Sequence, residues 1–131
     1  MTYITKNFSL EELCKTGCKA NNVPTMEAII NLTKLCIYVL QPLRDAYKMP
    51  IRVNSGYRST VVNRIVGGAP TSQHLKGMAA DITAGTISGN ERLFAMIQDL
   101  GLPFDQLIDE KGLRWIHVSY SDLNRRAVIQ L

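Results

Sequence analysis

The chain has 131 residues, 46% of them apolar and 20% charged, the balance of one soluble globular unit rather than two. Nine Gly and five Pro are too few for a collagen-like or low-complexity chain, and a mean hydropathy of −0.02 argues against disorder. The net charge of +4, from 15 basic and 11 acidic residues, is scattered along the chain; it suggests an anionic surface or wall polymer at most and no nucleic-acid partner.

Met1 to Leu13 lacks the basic, apolar, small-residue order of a secretory signal, so synthesis without a cleaved leader is expected. Ser9-Leu10-Glu11-Glu12 has the form of a capping box and predicts a short first helix. Met26, Ile29, Ile30, Cys36, Ile37, Leu40, Leu43 and Tyr47 then recur near helical spacing and predict the main helix, kinked or restarted at Pro42 and ended by Met49-Pro50. Its apolar stretch is broken by Asn31, Thr33 and Lys34 and is too short to span a bilayer. Cys14, Cys18 and Cys36 are read as reduced thiols, because an odd count cannot pair fully and three sulfurs fall short of the four ligands of a structural zinc.

Ile51 to Asn54 alternates as a strand, Ser55-Gly56 turns into a short helix through Ile65, and Gly67-Gly68-Ala69-Pro70 breaks the chain before an ordered loop, Thr71 to Gly77. A strand is expected over Met78 to Thr83, and a helix from the Ser88-Gly89-Asn90-Glu91 capping spacing to Gly101. Two strands follow, Phe104 to Ile108 and Leu113 to Tyr120, joined across Asp109 to Gly112 as a hairpin. Helices early and strands late predict an α+β fold: one domain over residues 1–131, a small, largely antiparallel sheet and flanking helices. A monomer is expected.

The two histidines stand in unusual company. His74 precedes Asp81 by seven residues; in a helix they would lie about 10 Å apart, but a turn at Gly77 lets both approach one ion. Asp81 is set among Met78, Ala79, Ala80 and Ile82, where a bare carboxylate is costly, so it needs a cation or donors. Alternation puts Trp115, His117 and Ser119 on one strand face and Ile116 and Val118 on the other. Two His and one Asp make the three-ligand set of a catalytic zinc, which acidifies a water and polarises a carbonyl.

At these residues the sequence resembles the zinc D-alanyl-D-alanine carboxypeptidase family, whose bacterial carboxypeptidases and phage endolysins cut peptidoglycan stem peptides. It is most similar to the small single-domain group. The matching runs are Ser55-Gly56-Tyr57-Arg58-Ser59, Asn63 with Val66-Gly67-Gly68, Ser72-x-His74-x-x-Gly77-x-Ala79-x-Asp81, Asp105-Gln106-Leu107-Ile108-x-Glu110 and Trp115-x-His117-Val118-Ser119, within a span from about Phe8 to Tyr120. The resemblance implies a Hedgehog/D,D-peptidase fold, one zinc per chain held by His74, Asp81 and His117, and a peptidoglycan peptide as substrate. It also implies a lysin-like protein that acts on the wall after release. In similar enzymes the arginine matching Arg58 holds substrate beside the metal, a role that suits a guanidinium. Ser72 and Trp115 join it as candidate substrate contacts. Many family members carry an acid three residues before the last histidine; here that position is Arg114, which cannot take a proton. Glu110 is the replacement general base, since alternation groups it with Gln106 and Ile108 and turns Asp109 away unless the hairpin breaks the parity. Without a base the alternative is an inactive, zinc-containing peptidoglycan-binding module. The bond cut stays open between D-Ala-D-Ala, L-Ala-D-Glu and a cross-bridge.

Overall fold

The computed structural model describes all residues, Met1–Leu131. Tyr3–Thr5 (β1) and Phe8–Ser9 (β2) form a small antiparallel hairpin, too short for alternation to announce it in the sequence. Ser9 then caps α1 (Leu10–Leu13), its Oγ accepting the Glu12 N–H at 3.2 Å. Only half of the capping box forms, because the Glu12 carboxylate accepts from the Val53 N–H instead.

Thr25 caps α2 (Met26–Leu35), which passes through a π-helical turn at Cys36–Leu40 and resumes as α3 (Gln41–Tyr47). Pro42 sits in the first turn of α3, and just before it the Gln41 N–H reaches five residues back to the Cys36 carbonyl. The expected interruption at Pro42 is therefore a one-residue bulge in a continuous rod. Its buried face is Ala28, Leu32, Leu35, Cys36, Val39, Leu40, Leu43 and Tyr47. The predicted face is corrected at Met26, Ile30 and Ile37, which are 71%, 50% and 48% exposed: a single helical phase cannot be carried across the extra residue. Lys48, at φ 64°, ends the rod.

The sheet strands are β3 (Arg52–Ser55), β4 (Ala79–Thr83), β5 (Gln106–Glu110), β6 (Trp115–Ser119) and β7 (Ala127–Gln130). Between β3 and β4 lie α4 (Thr60–Ile65), capped by Ser59, and a 3₁₀ turn at Gln73–Lys76, capped by Ser72. Helix α5 (Ile87–Asp99) follows β4 and is capped by Thr86 rather than Ser88, which falls inside its first turn. The strand order is β3-β4-β6-β5-β7. The first three pairings are antiparallel, while β7, unforeseen in the sequence, adds to β5 in parallel. The fold is α+β, as the element order implies.

Ala80 and Ile82 of β4, Ile116 and Val118 of β6 and Leu107 of β5 join Leu32, Leu35, Leu93 and Ile97 of the helices in one cluster of 23 buried residues. Period-two alternation commits the opposite sheet face, with Asp81, His117, Ile108 and Glu110, to the cleft.

Candidate active site

Three neighbouring strands bring the site together. In the register Asp81 of β4 lies opposite His117 of β6, which lies opposite Ile108 of β5. His74 arrives from the 3₁₀ turn. Gly77, at φ +72°, reverses the chain after it, and a Cβ there would press on the Ala28 backbone, so the reversal needs glycine twice over.

The run Ser55 to Ser59 is a bracket for this centre. Gly56 lies so close to Leu13 that a side chain would fall on the Leu13 carbonyl, and its own carbonyl accepts from His74 Nδ1 at 2.7 Å. Arg58 places Nε on Ser55 Oγ at 3.0 Å, Nη1 on Asn63 Oδ1 at 3.4 Å and Nη2 on Asp81 Oδ2 at 3.3 Å. Ser59 caps α4 and accepts the Val62 N–H. Ser72 lines the cleft, yet its Oγ accepts the His74 N–H at 3.2 Å, so it braces the ligand loop as well.

Asp81 Oδ1 lies 3.3 Å from His74 Nε2 and 3.3 Å from His117 Nδ1, and the ligand atoms of all three residues fall within 4.8 Å of one another. The side chains are only 3%, 12% and 12% exposed for His74, Asp81 and His117, so little water screens them. A backbone carbonyl can only accept; the Gly56 contact therefore keeps the His74 proton on Nδ1 and turns a lone pair on Nε2 toward a carboxylate oxygen. Two acceptors facing each other call for a cation between them. Bonds of about 2.0–2.1 Å to a tetrahedral zinc put neighbouring ligand atoms roughly 3.3–3.4 Å apart, the spacing found here. The trio fits one such ion. Burial by itself would push the Asp81 carboxyl up, but the two imidazoles beside it, His117 and His74, outweigh that and hold the group well below the usual carboxylate range.

The trio opens on a cleft of about 580 Å³ that Arg58, Ser72, Glu110 and Trp115 also line. The hairpin turns over Lys111 to Arg114, not Asp109 to Gly112, so both acids belong to β5 and the alternation survives to its end. Glu110 lines the cleft, whereas the Asp109 carboxylate accepts the Leu131 N–H at 2.7 Å. Arg114 is exposed outside it. The cysteines are free and form no metal cluster; burial pushes the Cys14 thiol up to about 11 and the Cys36 thiol up to about 12.

Two residues, one on the cleft wall and one buried behind it, had no role in the sequence reading. Asp105, 1% exposed, accepts from Arg125 Nε at 2.8 Å, Arg125 Nη2 at 2.8 Å, the Arg125 N–H at 3.0 Å and Gln73 Nε2 at 2.8 Å. The Arg125 hydrogen bonds hold its carboxyl well below the ordinary range despite burial. Arg125 lines the cleft beside it. An acid heading the Asp105 to Glu110 run was the available signal for Asp105; nothing local marks Arg125, which arrives from 20 residues away.

Residues 6–119 match the family model described as peptidase M15. Over 83 residues the chain is 39% identical to the zinc D-Ala-D-Ala carboxypeptidase of Streptomyces albus G, an alignment covering 61% of this chain and 32% of that protein. The chain thus spans about a third of the length of the curated relative it matches.

Proposed function

The chain belongs to the peptidase M15 family, and on that premise we propose that it is a zinc-dependent peptidase that hydrolyses peptide bonds in peptidoglycan stem peptides. The observation that carries the proposal is the convergence of His74 Nε2 and His117 Nδ1 on one oxygen of Asp81, with the His74 tautomer already set by Gly56. The name of the Streptomyces relative supports zinc as the metal and a stem-peptide bond as the target.

A zinc ion held by the trio would polarise the scissile carbonyl and acidify water. Glu110, at the cleft end of β5, accepts a proton from the attacking water and returns it to the leaving amine. Arg58 is steadied by Ser55 and Asn63, and its guanidinium beside Asp81 orients a carbonyl or carboxylate of the substrate. Ser72 and Trp115 form the walls against which the peptide lies. The protein acts on the wall after release from the cell that makes it, in the manner of a lysin.

The test is incubation of the zinc-loaded protein with purified peptidoglycan, with new termini identified by mass spectrometry. A new amine and a new carboxyl terminus at one stem-peptide bond are expected. Retention on the polymer with no bond cut would leave the binding module instead.

A further inference from the structure

We infer that Arg125 is a specificity-determining residue, a second carboxylate-recognition point that reads an acidic group of the substrate away from the bond that is cut. The inference rests on the peptidase reading above and names a feature of its substrate.

Arg125 is held in place before any ligand arrives. Asp105 grips it side-on through Nε and Nη2, fixes its backbone N–H, and is itself braced by Gln73. A guanidinium oriented in advance loses little freedom when it meets a ligand. Its other N–H groups have no partner in the protein, and the side chain is 54% exposed on the cleft wall. The other arginines nearby are committed. Arg126 donates to the Leu102 and Gln98 carbonyls and lies 4.6 Å over the Phe104 ring, while Arg58, bonded to Ser55, Asn63 and Asp81, is already assigned to the substrate group beside the trio. Arg125 is the one left for something else.

Its place along the cleft follows from the register. His117 is opposite Ile108, with Glu110 two residues on toward one end of β5 and Gln106 two residues back toward the other. At about 3.3 Å per residue each lies roughly 7 Å along β5 from the position opposite His117, and Asp105 with its arginine lies just beyond Gln106. The candidate base and Arg125 therefore flank the trio on opposite sides. An extended peptide with its scissile bond at the trio brings a group about two or three residues away to the guanidinium. A carboxylate is the group that free, parallel N–H donors of an arginine recognise best. Arg125 also lies beyond residues 6–119, the span that matches the family model, so this recognition point is particular to the C-terminal segment.

The experiment uses a matched pair of synthetic stem peptides, L-Ala-D-Glu-L-Lys-D-Ala-D-Ala and the same peptide with the free D-Glu carboxylate converted to a primary amide. For each protein the acid-to-amide ratio is measured in kcat/KM and in Kd; a ratio does not depend on the fraction of protein folded. Wild type should prefer the acid by about 10- to 100-fold, the range of one charge-assisted contact. Arg125→Gln should bring the ratio to about one, and Arg125→Lys should restore only part of it. A wild-type ratio of one, or a preference that survives Arg125→Gln, overturns the inference. If wild type cuts both peptides equally, the peptidase reading stands and Arg125 is structural. If it binds the acid preferentially, loses that preference in Arg125→Gln and cuts neither, the peptidase reading fails and Arg125 keeps its role.

Discussion

The acid at the end of β5 sets the sharpest test at single residues. Glu110→Gln should keep fold and metal while lowering turnover by about 10²- to 10⁴-fold, as removal of a general base does. Asp109→Asn should leave turnover near wild type, because that carboxylate holds the Leu131 N–H on the other side of the strand. Steady-state rates of both variants decide the matter, and the reverse pattern would move the base by one residue. For the metal, His117→Ala and His74→Ala should each abolish stoichiometric zinc, read by elemental analysis after dialysis. Full occupancy in either would remove that histidine from the ligand set. The meeting of Asp81 with the two histidines was legible because chemistry marks it: a carboxylate in an apolar strand and two histidines beside glycine and alternating strand residues have few other uses. Arg125 was not legible, since a single exposed arginine carries no such mark and its partner Asp105 is a tertiary contact.

Among the elements, caps and breakers were read well and helical phase was not. Ser9 and the glycine reversal at Gly77 act through neighbours one to four residues away, which local sequence contains in full, whereas the cap of α5 was read two residues late, at Ser88 instead of Thr86. The buried face of the α2–α3 rod depends on a π turn whose cause is spread over Cys36 to Pro42, and Ile30 and Ile37 were misplaced because a constant period was drawn through it. Gly77→Ala should cost at least about 1–2 kcal/mol from the left-handed backbone, with more from the press on Ala28, and should weaken zinc binding by displacing His74. Urea titration and a competitive chelator assay measure the two effects. Stability and affinity both unchanged would show that the turn does not position the ligand.

For the whole molecule the pH dependence has a definite sign. The Asp105 carboxyl is lowered in the folded state from an unfolded value of about 3.9, so the native protein binds fewer protons there and gains stability above that value. The gain is lost as pH falls below about 4 toward the lower folded value. Asp105→Asn should therefore be less stable at neutral pH by roughly 1–3 kcal/mol, and its deficit should shrink as the solution is acidified below pH 4. Urea midpoints across a pH series test this; a constant deficit would assign the loss to packing rather than charge. At this scale the α+β class was legible from element order, whereas β1, β2 and β7 were not. Strands of two or three residues, β1 and β2, lack the length for a pattern, and the parallel addition of β7 to β5 follows no local signal.

The 23-residue core has no member after Val118. The segment that delivers Arg125 is attached instead through backbone ladders, the Asp105 pair and the Arg126 carbonyl contacts. Selectivity and foldedness are thus carried by separable parts of the chain. In hydrogen-exchange terms β7 should open on its own, well below the energy needed to melt β4 and β6. The same separation makes this segment an exchangeable part: its residues can be redrawn without repacking the interior that holds the histidines in place.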